Sequence, residues 1–299
     1  MLNCFNCNEE NFPMIATLPP WLLLDPLLTQ WLQEDVGRGD RTTAALFPPQ
    51  GEPAQAHWVA KADGVIAGLT LAARVFYLLD PHSRSTPQIS EGDTCTAGQT
   101  LITFTASPAA LLTGERVALN LAMRLSGIAT ATAAYVAAIA PFPTQFVDTR
   151  KTTPGLRLLE KYATQVGGGL NHRMGLDDAV MLKDNHIQAA GGIGPAIAQV
   201  RRAIPYPLAV EVETSNLAEV EEAIAHGAEI IMLDNMAPPL MAEAVALIRA
   251  ANDRIKIEAS GNITLNTIGT VAATGVDYIS SSATITRSPW LDISMRWGS

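Results

Sequence analysis

The segment Asp148-Thr-Arg-Lys-Thr-Thr-Pro-Gly-Leu-Arg157 sets two adjacent cations, Arg150 and Lys151, after the short apolar run Gln145-Phe-Val. Pro154-Gly155 makes a turn, and Leu156, Leu158, Leu159 and Tyr162 then recur at helical spacing. The cations therefore belong to a loop held between a strand and a helix. Fixed loops at the carboxyl ends of strands are where α/β proteins keep their chemistry, and paired cations there suit an anionic ligand.

Five further apolar runs end in polar residues of complementary kinds. Ala179 to Leu182 leads into Lys183, Asp184, Asn185 and His186, and Leu208 to Val212 carries Glu211 and leads into Glu213. Glu229 to Leu233 leads into Asp234-Asn235, Ile255 to Ala259 carries Glu258 and leads into Ser260-Gly261-Asn262, and Val276 to Ser280 leads into Ser281-Ser282. If these strands run parallel, all their carboxyl ends open on one face. Arg150, Lys151, His172, Arg173 and Lys183 can then hold carboxylates or phosphates, arginine by its planar fork and lysine as a point charge. Glu213 and Asp234 can hold ribose hydroxyls or Mg2+, a hard cation that takes few carboxylates when it bridges phosphate oxygens. Backbone N-H groups around Ser260-Gly261-Asn262 and the serine run can cradle a phosphate.

Taken singly, each piece has a plainer explanation. Glu211 and Glu213 alternate with Val210 and Val212, as on a solvated strand face, and Asp234-Asn235 is a common turn pair. His172 or His186 alone reads as a structural histidine, and Gly167-Gly-Gly169 or the glycines near Gly191 read as flexible turns. Agreement of six strand ends is what carries the functional reading.

The elements that must position these groups follow from the spacing. From Gln145 onward, strand candidates alternate with helical patterns at intervals of roughly 20 to 35 residues, as in repeated βα units with right-handed crossovers. Asn216 caps a helix stopped near Gly227, and Pro238-Pro239 opens another that runs to Ala251. The roughly 155 residues from Gln145 onward fall short of the about 250 that a full eight-stranded barrel takes, so six or seven strands in an open barrel are expected. Upstream, Gln55 to Ala60 and Gly64 to Gly68 read as strands about a turn, and Leu69 to Leu79 as a helix. Glu91-Gly-Asp93 marks a turn and Thr100 to Thr105 a half-buried strand. Ser107-Pro108 opens a helix expected to end near Ser126, with a second from Ala129 to Ala140. The expected division is a tail and lead-in over 1–27, an α/β sandwich over 28–127 with 128–140 returning to it or linking, a catalytic barrel over 141–285 and a C-terminal segment over 286–299.

Composition bounds the remainder. The 299 residues can bury a large core; 48% are apolar and 16% charged, which favours strands covered on both faces. A net charge of -9 argues against sequence-independent binding to nucleic acid or an anionic membrane, so an anion site must be a local cationic pocket. No unbroken apolar run approaches the roughly 20 residues of a membrane span, the first basic residue is Arg38, and a cytoplasmic address is expected. Cys4, Cys7 and Cys95 cannot pair completely and suit a reducing compartment. The Cys4 to Cys7 spacing supplies only half a zinc site, a tail from Met1 to Pro13 reads as disordered, and Met14 is a second candidate start.

With these residues in place the chain resembles the quinolinate phosphoribosyltransferases, decarboxylating enzymes that make nicotinate mononucleotide. The likeness rests on Gly114-Glu-Arg116 with Asn120, Leu125-Ser-Gly-Ile-Ala-Thr130, the Asp148 to Arg157 segment, Gly168-Gly-Leu-Asn-His-Arg173 and Leu182-Lys-Asp-Asn-His-Ile187. It continues through Glu211-Val-Glu213, Met232-Leu-Asp-Asn-Met236, Glu258-Ala-Ser-Gly261 and Thr274-Gly-Val-Asp277. The resemblance implies an N-terminal α/β sandwich, an open seven-stranded α/β barrel and a homodimer, or a hexamer of such dimers, in which each subunit lends Arg116 to its partner's site. It further implies that Thr149, Arg150, Lys151, His172, Arg173 and Lys183 bind the quinolinate carboxylates and the diphosphate of phosphoribosyl pyrophosphate (PRPP). Glu213 and Asp234 serve the ribose and Mg2+, and Ser260, Gly261, Asn262, Ser281 and Ser282 take the 5-phosphate. Lys151, Lys183, Glu213 and Asp234 are the expected catalytic set. Two positions depart from the family pattern, Asn262 and Ser282 each standing where glycine is usual. Two rivals remain: a paralogue taking another pyridine or carboxylate, such as the type linked to molybdenum operons, and a non-catalytic phosphosugar sensor on the same scaffold. The cation set disfavours the first, because a mono-acid would leave buried cations unpaired.

Overall fold

A computed structural model describes residues 16–47 and 52–298. Cys4, Cys7 and Met14 lie outside the described residues. The N-terminal part consists of α1 (Trp21–Val36), α2 (Arg41–Leu46), β1 (Ala54–Ala60), β2 (Gly64–Val65), α3 (Leu69–Leu79), β3 (Arg84–Pro87), β4 (Thr94–Cys95), β5 (Thr100–Ala106) and α4 (Pro108–Ile139). The second part runs β6 (Gln145–Val147), α5 (Arg157–Val166), β7 (Val180–Leu182), α6 (Asp184–Ala190), α7 (Ile193–Arg201), β8 (Val210–Thr214) and α8 (Leu217–Ala225). It continues with β9 (Ile230–Asp234), α9 (Pro238–Ala251), β10 (Lys256–Ser260), α10 (Ile268–Ala272), β11 (Tyr278–Ser280) and α11 (Ala283–Thr286), and the chain's last element is β12 (Ile293–Trp297).

In the N-terminal part, β12, β1, β5 and β3 form an antiparallel sheet in that order. Trp58, Phe76 and Phe104 meet edge to face on it, Phe76 and Phe104 with ring centres 4.6 Å apart, the geometry that aligns a ring's positive edge with another's negative face. Four sequence expectations are corrected here. Gly64 and Val65 do not return along β1 as a hairpin; they pair with Thr94 and Cys95 in a separate two-stranded sheet. The break placed at 27/28 falls inside α1, where Leu24, Leu28 and Leu32, one turn apart, are buried in the first core. The segment after 285 is no appendage, since β12 returns to pair with β1. And the two helices expected on either side of Gly127 are one helix of 32 residues.

That single helix, α4, is the spine of the molecule. Ser107 caps it, its hydroxyl accepting from Ala110 N at 3.3 Å, and Pro108 occupies the first turn, where no N-H is needed. Gly127, which weakens a helix on propensity alone, is demanded by packing: a methyl group there would overlap the Pro289 carbonyl. Ala110 through Ala129 belong to the first core and Tyr135 and Ile139 to the second. The helix has the length and apolar content of a membrane span, yet it is wrapped by both cores.

The second part is a parallel sheet in the order β6-β11-β10-β9-β8-β7. Leu170 adds a one-residue parallel bridge to Val147 on the free edge of β6, so the arc comprises six strands and a seventh, rudimentary one. It stays open between the Leu170 segment and β7. The Arg173 guanidinium spans that opening by donating to the Ala179 carbonyl at 3.0 Å. An open α/β barrel is therefore what the βα spacing describes, with strand bounds displaced by one or two residues.

Candidate active site

The carboxyl ends of this arc surround a cavity of about 820 Å3. Thr149, Arg150, Lys151, His172, Arg173, Lys183, Glu213, Asp234, Ser260, Gly261, Asn262, Ser281 and Ser282 all line it. Arg116 is not around this cavity; on α4, it lines a second one of about 610 Å3 together with Trp31, Glu34, Asp35, Arg124 and Thr153. Sheet order sets the sequence of chemistries around the mouth. Arg173, then Arg150 and Lys151, occupy one side; the segments after β11 and β10 follow with hydroxyls and backbone; Asp234 and Glu213 come next, and Lys183 faces Arg173 across the opening.

The cationic side stands on a buried frame. Asp148, at the end of β6, is fully buried and pairs with the equally buried Lys161 of α5. It also accepts from the Asn171 amide and from His172 N, each at 2.8 Å, while Lys161 donates to the His172 carbonyl at 2.9 Å. Burial pushes the Asp148 carboxyl up and the Lys161 ammonium down, against their mutual attraction, so the pair persists because hydrogen bonds satisfy its remaining atoms. Beside it, buried Glu160 accepts from Thr153 N and Thr153 Oγ1, both at 2.8 Å, and from Arg124 Nη2 at 2.8 Å. Arg124 in turn donates to the Ile285 carbonyl at 2.7 Å and to Ser288 Oγ at 3.1 Å. The cation loop and the segment after β11 are thus tied to one guanidinium on the spine helix.

On this frame no carboxylate among the described residues lies within ion-pair distance of Arg150, Lys151 or Arg173. Arg150 Nε is buried with no hydrogen-bond partner among the described residues, the signature of a donor that waits for an anion. Burial and the neighbouring Arg150 hold Arg173 below the ordinary arginine range. Two like charges in a half-buried pocket are costly until a ligand neutralises them.

His172 is arranged differently from the expectation that it meets substrate through its ring nitrogens. Nδ1 accepts from Arg173 N at 2.7 Å, and Nε2 lies 3.3 Å from Glu211 Oε2 and 3.4 Å from Glu258 Oε2. Both nitrogens are engaged inside the wall. Burial opposes a charge on this ring, but the two carboxylates outweigh it and raise its proton affinity to about 10, while burial pushes the Glu211 carboxyl up. With Nδ1 accepting from the backbone, the one ring hydrogen sits on Nε2 and faces the carboxylates; the second proton that the carboxylates favour would go to Nδ1 at the expense of its bond from Arg173 N. Glu211 and Glu258 are accordingly buried, and the strand face shared by Glu211 and Glu213 is not a solvated one.

On the opposite side Lys183 Nζ donates to Glu213 Oε2 at 2.7 Å, and Asp234 accepts from the Asn235 amide at 2.8 Å. Asn235 and Asn262 both adopt left-handed backbone, φ 53° and 51°, and Asn262 Nδ2 donates to Asn235 Oδ1 at 3.1 Å. Gly261 between them has φ 101°, and a methyl group there would strike the Asn235 amide. Ser281 is drawn inward, donating to the Ile263 carbonyl at 3.1 Å, so its hydroxyl supports the turn while Ser282 stays half-buried at the rim. Sequence reasoning missed Lys161, Asn171, Glu160 and Arg124, which never touch the cavity, and Met181, Met232 and Arg287, which do. Lys161 gave no signal in the sequence: its neighbours at three and four residues' spacing are Arg157, Leu158, Thr164 and Gln165, so it reads as a solvated charge.

Comparison with known proteins agrees with this geometry. Residues 40–126 match the N-terminal domain and residues 128–296 the C-terminal domain of quinolinate phosphoribosyl transferase. The chain is 62% identical, over 94% of its length and 95% of the relative's, to a probable nicotinate-nucleotide pyrophosphorylase [carboxylating] of Synechocystis sp.. It is 41% identical, over 96% of its length and 86% of the relative's, to quinolinate phosphoribosyltransferase [decarboxylating] 1b of Nicotiana tabacum. The crystal structure of NadC from Streptococcus pyogenes superposes with a TM-score of 0.89 at 44% identity, covering 95% of this chain and 100% of that one.

Proposed function

This chain belongs to the quinolinate phosphoribosyltransferase family, and from that membership we infer how its cavity works. The enzyme transfers the phosphoribosyl group of PRPP to quinolinate with decarboxylation, giving nicotinate mononucleotide, CO2 and pyrophosphate for NAD biosynthesis. The observation that carries the division of labour is the convergence on one cavity of Arg150, Lys151 and Arg173 from one side and of Glu213, Asp234 and the Glu213-paired Lys183 from the other.

Arg150 and Arg173 take the two quinolinate carboxylates, Arg150 Nε finding there the acceptor it lacks. His172 holds Arg173 in place from within the wall. The pyridine nitrogen displaces pyrophosphate from the anomeric carbon; as the leaving group departs, positive charge builds on the ribose, and Glu213 and Asp234 stabilise it. Lys151 and Lys183 offset negative charge on the departing diphosphate. Lys183 is paired with Glu213 before substrate binds, so the diphosphate draws the ammonium away and leaves Glu213 free for the sugar. Once N-ribosylated, the ring is a cation that accepts the electron pair of the C2–carboxylate bond, CO2 leaves, and C2 takes a proton. No enzyme nucleophile is needed.

The acid pair suits Mg2+: two hard carboxylate oxygens on neighbouring strands, one of them already offset by Lys183, match an ion that keeps its waters and binds mainly through phosphate. Held there by Glu213 and Asp234, such an ion would supply positive charge that offsets the departing diphosphate. The 5-phosphate is taken by Ser260, Gly261, Asn262 and Ser282. Arg116 serves a partner subunit's cavity in a homodimer, consistent with its place in a separate cavity of its own chain.

The test supplies purified protein with PRPP, Mg2+ and either quinolinate or nicotinic acid. Nicotinate mononucleotide and equimolar CO2 from quinolinate are expected, with activity lost on chelation; product from nicotinic acid alone would reject the assignment. Arg116→Ala mixed with Lys151→Ala should regain activity through hybrid dimers, and two inactive parents that stay inactive when mixed would reject the shared site.

A further inference from the structure

Resting on the phosphoribosyl reading above, we infer that Arg287 is a ligand of the 5-phosphate, a phosphate monoester dianion, and is the cation that makes this subsite selective for phosphorylated sugars. The cations assigned so far around this mouth follow the Leu170 segment and β6 (Arg173, Arg150, Lys151) or β7 (Lys183), and none follows β10 or β11. The phosphate side, after β10 and β11, is otherwise built from hydroxyls, amides and backbone: Ser260, Gly261, Asn262, Thr264, Ser280 and Ser282. A dianion set among neutral donors alone forgoes the stronger, charge-assisted bonds that phosphate sites use. Between Lys256 and Arg296 the sequence carries one Lys or Arg, and it is Arg287.

Three observations give Arg287 that task. Its side chain lines the same cavity as Ser280 to Ala283 and the Ser260 to Thr264 turn. It is exposed, and among the described residues no carboxylate lies within ion-pair distance of it, whereas Arg74, Arg124, Arg201 and Arg249 are all so paired. Its backbone is fixed from behind: Arg287 N donates to the Ala283 carbonyl at 3.0 Å, and Arg124 grips Ile285 and Ser288 on either side of it. A free guanidinium on a rigid base beside a phosphate-sized cradle is prepared for bidentate recognition. Ser282, where glycine is usual, stands five residues before it at the foot of the same segment and adds a hydroxyl to the cradle.

The experiment measures binding of nicotinate mononucleotide, of its 5'-dephosphorylated ribonucleoside and of pyrophosphate to the wild type, Arg287→Gln and Arg287→Lys by calorimetry, with KM values alongside. Arg287→Gln should weaken the mononucleotide about 10- to 100-fold, the worth of one charge-assisted bond, and raise KM for PRPP similarly. The ribonucleoside, pyrophosphate and KM for quinolinate should change less than about twofold, and Arg287→Lys should restore part of the loss, as a point charge in place of a fork. An unchanged mononucleotide affinity, or a loss shared equally by the ribonucleoside or confined to pyrophosphate, would overturn the inference. Because the wild type's turnover of quinolinate is scored in the same series, failure of the phosphoribosyl reading itself would show there and not in the variants.

Discussion

The two sides of the cavity mouth are built on opposite principles. Beneath the cationic side lies a frame of buried charge, Asp148 with Lys161 and Glu160 with Arg124, that never reaches the substrate space. Beneath the phosphate side there is little charge; the shape comes from backbone, with Asn235, Gly261 and Asn262 at positive φ and the two asparagine amides bonded to each other. Holding several like charges on a loop requires fixed dipoles and counter-ions behind them, whereas cradling a phosphate with N-H groups requires unusual φ angles and no side chain in the way. The two sides should therefore fail differently when cut.

The largest effect is expected where buried charge is left alone. Lys161→Met strands Asp148 in a fully buried place, and removal of one partner from such a pair costs about 3–5 kcal/mol. Denaturant titration should show that loss, and Lys161→Met combined with Asp148→Asn should recover part of it. Lys183→Met is the contrasting case: its side chain is 45% exposed, so its pairing with Glu213 contributes at most about 1 kcal/mol to stability, while turnover should collapse. Equal destabilisation by the two substitutions would dissolve the distinction between frame and rim.

Next comes the backbone side. Gly261→Ala must place a methyl group against the Asn235 amide at φ 101°, at a cost of about 1–3 kcal/mol in strain. The expected signature is a raised KM for PRPP with quinolinate binding little altered, the reverse of what damage to the cationic side would give.

The same contrast explains what the sequence disclosed. The βα period and the polar residues that end each apolar run are local patterns of 2 and 3.6 residues, so the barrel and its rim were legible. The frame was not. Glu160 and Lys161 sit on a short helix where they read as solvated charge, Glu160 at i,i+3 spacing from Arg157, and only the fold puts them under the Asp148 loop. Gly127 misled for the complementary reason, since a helix-weakening residue was kept for a contact with Pro289, 162 positions away along the chain. β12 was invisible as a partner of β1 because non-local pairing leaves no periodic trace. His172 was found by its place beside Arg173 but its role was not, because which way an imidazole faces depends on Glu211 and Glu258 from two other strands.

The His172 cluster lies under the cationic side and gives a pH-dependent test. A group whose proton affinity is raised on folding contributes stability fully below its unfolded value, near 6.5, and loses it as pH climbs through the folded value of about 10. Stability of the wild type should fall between these limits by at most about 1.4 kcal/mol per pH unit. Glu258→Gln removes one of the two carboxylates responsible, so its stability curve should be flatter over that range. Parallel curves for the two proteins would assign the pH dependence elsewhere.

The smallest expected change is at Asn262, and it discriminates most finely between the two building principles. If the phosphate side depends on backbone conformation, then a residue at φ 51° matters for tolerating that angle rather than for its amide. Asn262→Gly keeps the angle without strain, gains freedom in the unfolded chain worth about 0.5–1 kcal/mol, and gives up one exposed bond to Asn235. Those terms are of similar size, and both KM for PRPP and stability should move little, by less than about 1 kcal/mol. Asn262→Ala removes the same amide and is close in bulk, but alanine pays roughly 1–2 kcal/mol to sit left-handed, so it should be the worse of the two despite being the more ordinary substitution. Were glycine and alanine equally harmful, the amide link between Asn262 and Asn235 would be what shapes the turn, and the phosphate side would rest on side-chain chemistry as the cationic side does.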